Sequence, residues 1–256
     1  MNPLLSIITA TYNSERTLDE TFKSVLNQNY TNFEYIIVDG KSWDNTIEII
    51  KEHESSFKDK GIVFKWISER DSGIYNAWNK GLQMAVGNWI AFLGSDDIYL
   101  ENAIEKYADM AILNNNADLI HSKVKILRGT SFIREIDKKW EWVQFKKSMN
   151  IAHAGAFHNK IYFEKYGNFD ESYKIAGDYE MLLRAKNELK VIFLNEFTVI
   201  MQEDGVSNRM FLKAFKEAEK AKLNTLGMSL IAVKRYSLIN LLRYFLGKFL
   251  RKVNLK

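Results

Sequence analysis

Four short apolar segments alternate with amphipathic segments in the first hundred residues, and this alternation constrains the fold more than any other feature. The apolar segments are residues 5–10, 33–38, 63–67 and 89–94. Apolar runs of this length, bounded by polar turns, predict buried strands, and the helical periodicity between them predicts connecting helices. The pattern therefore predicts an α/β fold with a mixed, mostly parallel sheet flanked by helices.

Each predicted strand ends in a loop with hydroxyl or carboxylate groups. Parallel strands place their carboxyl ends at one rim of the sheet, which is where such sheets bind ligands. We therefore expect one site to be built from four loops, which carry Thr11 and Tyr12; Asp39; Glu69 and Asp71; and Asp96 and Asp97.

The strand 89–94 is followed, after a short turn, by two adjacent carboxylates, Asp96 and Asp97. Burying two anions at a strand end costs desolvation free energy unless a cation lies beside them. Hard oxygen ligands suit Mg²⁺ or Mn²⁺, and such an ion suits a diphosphate. The alternative is that the pair only caps a helix that starts near Tyr99, since aspartate is a favoured N-cap.

Charge is unevenly distributed along the 256 residues. The formal net charge is +4, but nine Lys or Arg and no Asp or Glu occur from Lys220 onward, so residues 1–219 carry −5. A mildly acidic body with a basic tail does not suggest a nucleic-acid-binding domain. The chain contains no cysteine, which excludes disulfides, thiol catalysis and zinc–thiolate sites. We find no secretory signal pattern and no apolar run as long as a membrane span.

Several segments resemble one known family. Residues 6–13, 37–42 and 94–97 together resemble the nucleotide-sugar domain of family-two inverting glycosyltransferases, which have the GT-A fold. The string 68–81 looks like the bacterial branch that builds O-antigen, capsule and exopolysaccharide chains. Segments 153–157, 169–172 and 176–180 are similar to the acceptor-side blocks of that branch.

The resemblance implies an inverting hexosyl- or N-acetylhexosaminyltransferase that depends on Mn²⁺ or Mg²⁺. Its donor would be a nucleoside-diphosphate sugar, UDP-linked, and its acceptor a glycan or lipid-linked saccharide of surface polysaccharide synthesis. Residues 1–100 would form the nucleotide-sugar-binding half of a GT-A domain, and residues 101–219 the acceptor half. The implied nucleotide-sugar contacts are Thr11, Tyr12 and Asp39 at the base, Asp71, Asn79 and Lys80 near the ribose and diphosphate, and Asp96 at the ribose or sugar.

Three further roles follow from the same resemblance. Asp97 would ligate the metal, Asp178 would be the catalytic base, and His153 would lie on the acceptor or diphosphate side. The chemistry agrees, because the leaving diphosphate gains negative charge that a divalent cation stabilises. Inversion also needs one base to take the acceptor proton. Two positions depart from the family: Ala10 stands where proline is frequent, and Gly177 stands where many members have Glu before the base.

Each assignment has a structural alternative. Asp39 could only form a turn before Gly40, and Asp71 and Asp178 could only cap helices. His153 could be a core histidine in an alternating strand 151–158, while we expect His158 at the surface. The alternative functions are a nucleotidyltransferase, which normally has a glycine-rich basic loop after its first strand, and a non-catalytic nucleotide-sugar-binding scaffold, which needs no base.

The basic tail, residues 220–256, has helical periodicity from Ser237 to Val253, which only Lys252 breaks. At about 100° per residue, its apolar and basic side chains occupy opposite halves of a helix, which predicts a position in a membrane interface. We expect a cytoplasmic protein that is peripheral on the inner face of the cell membrane. The alternatives are that the apolar face packs on the domain or on a second subunit of a homodimer. The apolar set is Leu238, Ile239, Leu241, Leu242, Phe245, Leu246, Phe249 and Leu250.

Overall fold

The predicted alternation is present in the first half of the chain. In the computed structural model, which describes residues 4–203 and 210–254, the strands are β1 (Leu5–Thr11), β2 (Phe33–Asp39), β3 (Val63–Ser68) and β4 (Trp89–Phe92). The helices between them are α1 (Leu18–Leu26), α2 (Thr46–Asp59) and α3 (Ile74–Met84). β1 lies between β2 and β4, β3 flanks β2, and all three pairings are parallel. The carboxyl ends of these strands therefore lie side by side.

The second half adds shorter and less regular elements. Its strands are β5 (Ile98–Tyr99), β6 (Leu119–Arg128), β7 (Ser131–Ile136), β8 (Ala156–Asn159) and β9 (Val191–Gln202). Its helices are α4 (Ala103–Leu113), α5 (Trp142–Phe145), α6 (Lys160–Tyr166), α7 (Gly177–Leu183), α8 (Phe211–Asn224) and α9 (Leu230–Asn254), with 3₁₀ turns at His153–Gly155 and Lys186–Glu188.

All these strands join one mixed sheet. Within the described residues its order is β3-β2-β1-β4-β8-β6-β9-β5, with β7 paired to β6. β8 is antiparallel to both β4 and β6, whereas β6 and β9 are parallel. The predicted α/β class with a mixed, mostly parallel sheet is confirmed.

Side chains that alternate along the central strands supply two cores, one on each face of the sheet. On β1, Ile7 packs with Phe22 of α1 on one face, while Ile8 packs with Trp78 of α3 on the other. Successive strand side chains point to opposite faces. Parallel strands covered by helices on both faces are consequently apolar at almost every position, which explains the continuous apolar runs in the sequence.

Four expectations from the sequence are wrong. No helix starts near Tyr99, because that residue is in β5 and the next helix begins at Ala103. The apolar runs 191–194 and 197–200, which we expected to form two separate strands, belong to one strand, β9, since a change of register opposite Ser122–Val124 absorbs the break in pattern. His153 begins a 3₁₀ turn rather than lying in a strand. His158 is fully buried in β8.

The C-terminal region consists of α8 and α9. α8 continues through the domain boundary that we placed between residues 219 and 220. Ala221 and Lys222 of α8 and Val233 of α9 are buried, so the tail begins as part of the folded body. In the described residues, no helix combines the length and apolarity needed to cross a bilayer.

Candidate active site

The loops after β1, β2 and β4 are hydrogen-bonded to one another. The backbone N–H of Asn13 donates to Ser42 Oγ at 2.8 Å, and the N–H of Ser14 donates to Thr46 Oγ1 at 2.8 Å. The Ser14 and Ser95 hydroxyls are 3.0 Å apart. These bonds connect the polar loops into one rim, as the parallel topology predicts.

Asp39 is held firmly at the centre of this rim. Its buried carboxylate accepts hydrogen bonds from Ser42 N at 2.9 Å, Ser42 Oγ at 2.5 Å and Ser68 Oγ at 2.6 Å. A carboxylate has about four acceptor sites, so Asp39 can orient its own turn and still accept one bond from a ligand. The turn-forming and ligand-binding interpretations of this residue are compatible.

Gly40 allows two other rim residues to approach Asp39. A Cβ at Gly40 would lie 2.6 Å from Asp71 Oδ2 and 3.4 Å from Tyr12 Cδ2, so only glycine leaves room for both. Asp71 also accepts the Gly73 N–H at 2.9 Å, which forms the turn that leads into α3. The Tyr12 ring is 59% exposed. The structure therefore brings Tyr12, Asp39 and Asp71 together.

Thr11, next to Asp39 across the sheet, has a buried hydroxyl with unused hydrogen-bonding capacity. Thr11 is paired in register with Asp39. Its Oγ1 is shielded from solvent and has no hydrogen-bond partner among the described residues. A buried hydroxyl without a partner carries a desolvation penalty, which a ligand at the rim would relieve.

Asn79 and Lys80 have protein partners. Asn79 donates both amide hydrogens, to Phe169 O at 3.0 Å and Glu171 Oε1 at 2.9 Å, and accepts from Phe169 N at 3.0 Å. The Asn79 side chain therefore fastens the loop before α7 to α3, and its expected contact with ribose or diphosphate stays a prediction. Lys80 Nζ binds Arg70 O and Glu69 at 2.8 Å each. Its place near the diphosphate stays a prediction.

Asp97 is a buried carboxylate beside a second carboxylate, Asp96. Asp97 Oδ2 accepts the Gly94 N–H at 3.0 Å. Burial raises the pKa of Asp97 well above its usual range, and the charge of Asp96 adds to the rise. The pair lies in the turn between β4 and β5, so the helix-cap interpretation is wrong.

The two carboxylates offer hard oxygen donors, and a cation beside them would offset their burial and repulsion. The described residues contain no group of three or more His, Asp or Glu placed to hold an ion. A site with one or two carboxylates, completed by diphosphate oxygens and water, is the usual protein environment of Mg²⁺. The residues present fit a divalent cation of this kind.

Asp178 lies in the first turn of α7 and is held by α3. Its Oδ1 accepts the Tyr179 N–H at 2.8 Å and the Tyr75 hydroxyl at 3.3 Å, and the same hydroxyl contacts Ile175 O at 2.7 Å. Burial raises the pKa of Asp178 to about 6, and hydrogen bonds from Tyr179 and Tyr75 oppose the rise. The N-cap of α7 is Ala176, so Asp178 is not the capping residue of its helix.

The departure at Gly177 has a structural reason. A Cβ at Gly177 would lie 2.7 Å from Tyr75 Cε2. The Tyr75 ring therefore packs against the backbone where many family members carry a Glu side chain. This packing places the Tyr75 hydroxyl beside Asp178, and it joins the predicted base to α3, which follows the rim loop that carries Asp71.

Glu217 of α8 was not predicted from the sequence, but it organises the start of α7. Its buried carboxylate accepts the N–H groups of Lys174 at 3.1 and 3.0 Å, Ile175 at 2.8 Å and Ala176 at 3.0 Å. These N–H groups lie at a helix N-terminus, where an anion is favoured. The charge of Glu217 also contributes to the raised pKa of Asp178. No local sequence signal marks this contact.

His153 lies in the core beneath the same rim. Its ring stacks on Phe92 at a centroid distance of 5.2 Å and makes a tilted contact with Trp78 at 4.9 Å, and its Nε2 is 3.1 Å from His158 Nε2. Burial lowers the pKa of His153 to about 3 and that of His158 well below its usual range, so both rings are neutral. Among the described atoms, neither Nδ1 has a partner. An acceptor-side or diphosphate role for His153 stays a prediction.

The family model for Glycosyl transferase family 2 matches residues 6–175. The chain belongs to this family. The matched range includes the rim loops after β1 to β4 and His153, and it ends before Asp178 and Glu217. The family assignment confirms a glycosyltransferase and contradicts the nucleotidyltransferase alternative.

Two curated relatives are similar to this family-two member. A PGL/p-HBAD biosynthesis glycosyltransferase of Mycobacterium bovis is 27% identical over 236 residues, covering 90% of this chain and 89% of the relative. The Escherichia coli UDP-Glc:alpha-D-GlcNAc-diphosphoundecaprenol beta-1,3-glucosyltransferase WfgD is 36% identical over 130 residues, covering 51% and 49%. A crystal structure of S. aureus TarS 1-349 in complex with UDP-GlcNAc has a TM-score of 0.69 and 19% identity, and the match covers 94% of this chain and 72% of that one. This likeness shows the shared GT-A fold.

Replacing Glu217 with glutamine should shift the pH dependence of this glycosyltransferase. Removing the Glu217 charge lowers the pKa of Asp178 below about 6, so the acid limb of the rate profile should move to lower pH. Glutamine offers one acceptor oxygen, instead of two, to the three backbone N–H groups that Glu217 binds. The substitution should therefore also destabilise the fold by about 1–3 kcal/mol. The measurements are a pH–rate profile and a denaturant titration.

The matched control is Glu164→Gln, at an exposed position on α6, which removes the same charge and should leave both measurements unchanged. Glu217→Asp keeps the charge and should preserve the position of the acid limb. If the acid limb of Glu217→Gln coincided with that of the wild type, Glu217 would have no electrostatic influence on the base.

Proposed function

We propose that this glycosyltransferase moves a sugar, with inversion, from a UDP-sugar to a lipid-linked saccharide during surface polysaccharide synthesis. The observation that carries the proposal is the hydrogen bond between the Tyr75 hydroxyl and Asp178. It places a carboxylate with a raised pKa beside the first turn of α3. This helix begins at the rim formed by the loops after β1 to β4, which we call the nucleotide rim. An inverting displacement needs a site that binds the sugar donor and a base that takes the proton of the acceptor.

The rim residues have complementary roles in donor binding. Asp39 would accept the imide N–H of a uracil base, Thr11 Oγ1 would gain the hydrogen bond that it lacks, and the exposed Tyr12 ring would stack on the base. Asp71 and Asp96 would receive ribose or sugar hydroxyls. Lys80, which donates two of its three N–H groups to protein oxygens, would keep the third for a phosphate oxygen.

Asp178 would take the proton of the acceptor hydroxyl. Its pKa of about 6 leaves it ionised at neutral pH and gives it more basic strength than an exposed aspartate. Asp97 would hold a Mn²⁺ or Mg²⁺ ion, with Asp96 next to it. When bound, the ion neutralises charge on the leaving diphosphate.

The relatives support the choice of donor and acceptor. WfgD is named for transfer from UDP-Glc to a GlcNAc-diphosphoundecaprenol, and TarS is described in complex with UDP-GlcNAc. A lipid-linked acceptor is confined to a membrane surface, and α9 exposes apolar side chains beside basic ones. We propose a cytoplasmic protein that is peripheral on the inner leaflet, with α9 as its membrane contact.

A donor screen tests the proposed function. UDP-sugars are expected to release UDP in the presence of Mn²⁺ or Mg²⁺ and a polyprenyl-diphosphate saccharide, with little release when the acceptor is omitted. NMR of the product should show the opposite anomeric configuration to that of the donor. Donor binding without acceptor-dependent UDP release would instead support the non-catalytic scaffold.

A further inference from the structure

A cavity lies between α9 and the segment around α5, away from the nucleotide rim. Its volume is about 270 Å³, which is enough for several water molecules. Arg235, Asn240 and Arg243 line one wall, and Gln144 and Lys147 line the other. Asn240 Nδ2 donates to Lys147 O at 2.8 Å, so the two walls are fastened together.

The lining of this cavity is cationic. Lys147, Arg235 and Arg243 contribute three positive charges, and no acidic side chain of the described residues lines it. The chain also has no Asp or Glu from Lys220 onward. Like charges that line one cavity without an acidic side chain among them repel one another, and guanidinium and ammonium groups match phosphate oxygens. The chemistry of the cavity favours a phosphate group.

An exposed apolar face of α9 adjoins the cavity. Leu238, Leu242, Phe245 and Phe249 recur at helical spacing and are 51–63% exposed. Arg235 and Arg243 recur on the neighbouring face. A different face of α9 packs on α8, where the Tyr244 ring stacks on Phe211 at a centroid distance of 5.1 Å. An apolar face bordered by a cationic cavity matches the acyl boundary and the headgroups of an anionic bilayer.

We propose that this cavity binds the phosphate group of an anionic phospholipid while the apolar face of α9 lies in the bilayer interface. The inference deepens the proposed function, because it assigns a lipid site to the membrane contact. Phe145 lies between the two lining residues Gln144 and Lys147. Its carbonyl accepts the Tyr179 hydroxyl at 2.9 Å, and Tyr179 follows Asp178. A lipid in the cavity therefore holds the base close to the membrane, where a lipid-linked acceptor is confined.

Vesicle co-sedimentation tests the proposal without donor or acceptor. The full chain is expected to bind phosphatidylcholine vesicles that contain phosphatidylglycerol, and Arg243→Gln should lower the partition coefficient about five-fold. At equal ionic strength, inorganic phosphate should release more wild-type protein from these vesicles than chloride does, because phosphate competes for the cavity. This extra release should disappear in Arg243→Gln and in Lys147→Gln, which alters the opposite wall.

Lys234→Gln is the matched control. Lys234 lies on the same helix, is exposed, and pairs with Glu219 at 2.5 Å instead of lining the cavity. It should keep the phosphate-specific release. Equal release by phosphate and chloride in the wild type, loss of the extra release in Lys234→Gln, or no binding to the anionic vesicles would each overturn the lipid site. Asp178→Asn should bind vesicles like the wild type, so failure of the transferase proposal and failure of the lipid site remain distinguishable.

Discussion

Replacing Asp178 with asparagine is expected to lower the rate of sugar transfer by about 10²–10⁴-fold, the usual contribution of a general base. The amide cannot take the proton of the acceptor hydroxyl. It can still accept the Tyr179 N–H and the Tyr75 hydroxyl that hold the carboxylate at 2.8 and 3.3 Å. Donor affinity should therefore change little. The measurements are acceptor-dependent UDP release and a donor titration.

The wild-type enzyme should show the corresponding pH dependence. Only the ionised carboxylate accepts a proton, so the rate should rise as the pH passes about 6 and level off above it. Asp109→Asn, at an exposed position on α4, is the control and should leave transfer unchanged. A wild-type rate in Asp178→Asn would remove the base assignment.

Replacing Asp97 with asparagine is expected to reduce metal-dependent donor turnover by about 10²–10³-fold, as for other losses of charge stabilisation at a leaving group. The substitution removes one hard anionic ligand while an amide oxygen can still accept the Gly94 N–H, which Asp97 Oδ2 accepts at 3.0 Å. Because a neutral amide carries no penalty for ionising in this buried position beside Asp96, the melting temperature should stay the same or rise.

The useful readouts for Asp97→Asn are activity against Mn²⁺ concentration and a thermal melt. Higher Mn²⁺ should restore part of the lost activity, because the diphosphate still supplies oxygen ligands. Asp59→Asn, exposed at the end of α2, is the matched control. Undiminished turnover with an unchanged metal requirement would refute the metal role of Asp97.

Local pattern was sufficient to predict the fold of the first hundred residues. Apolar runs and helical periodicity predicted β1 to β4 and the helices between them, and their alternation predicted a mostly parallel sheet. Because parallel strands end at one rim, Thr11, Asp39 and Asp97 could be grouped without coordinates. This prediction needed only patterns that are local in the sequence and the rule that parallel strands place their carboxyl ends at one rim of the sheet.

Contacts between distant segments could not be predicted in this way. Glu217 binds the backbone of Ala176, 41 residues earlier in the chain, and Asn79 binds Phe169, 90 residues later. An isolated Glu in an amphipathic helix is usually solvated, and a single Asn in a motif does not reveal its partner. His158 also follows no buried pattern, because its burial depends on β8 lying between β4 and β6.

Residue order along single elements was enough to predict the α/β class, the rim of strand-end carboxylates and the basic amphipathic character of the tail. The contacts between polar groups, by contrast, depend on how distant segments pack together. This packing placed Tyr75 and Glu217 around Asp178, occupied Asn79 with protein partners, and brought Lys147 to the basic wall of α9. The physical reason is that a hydrogen bond or a charge acts over a few ångströms of space, whereas a sequence pattern records only distance along the chain.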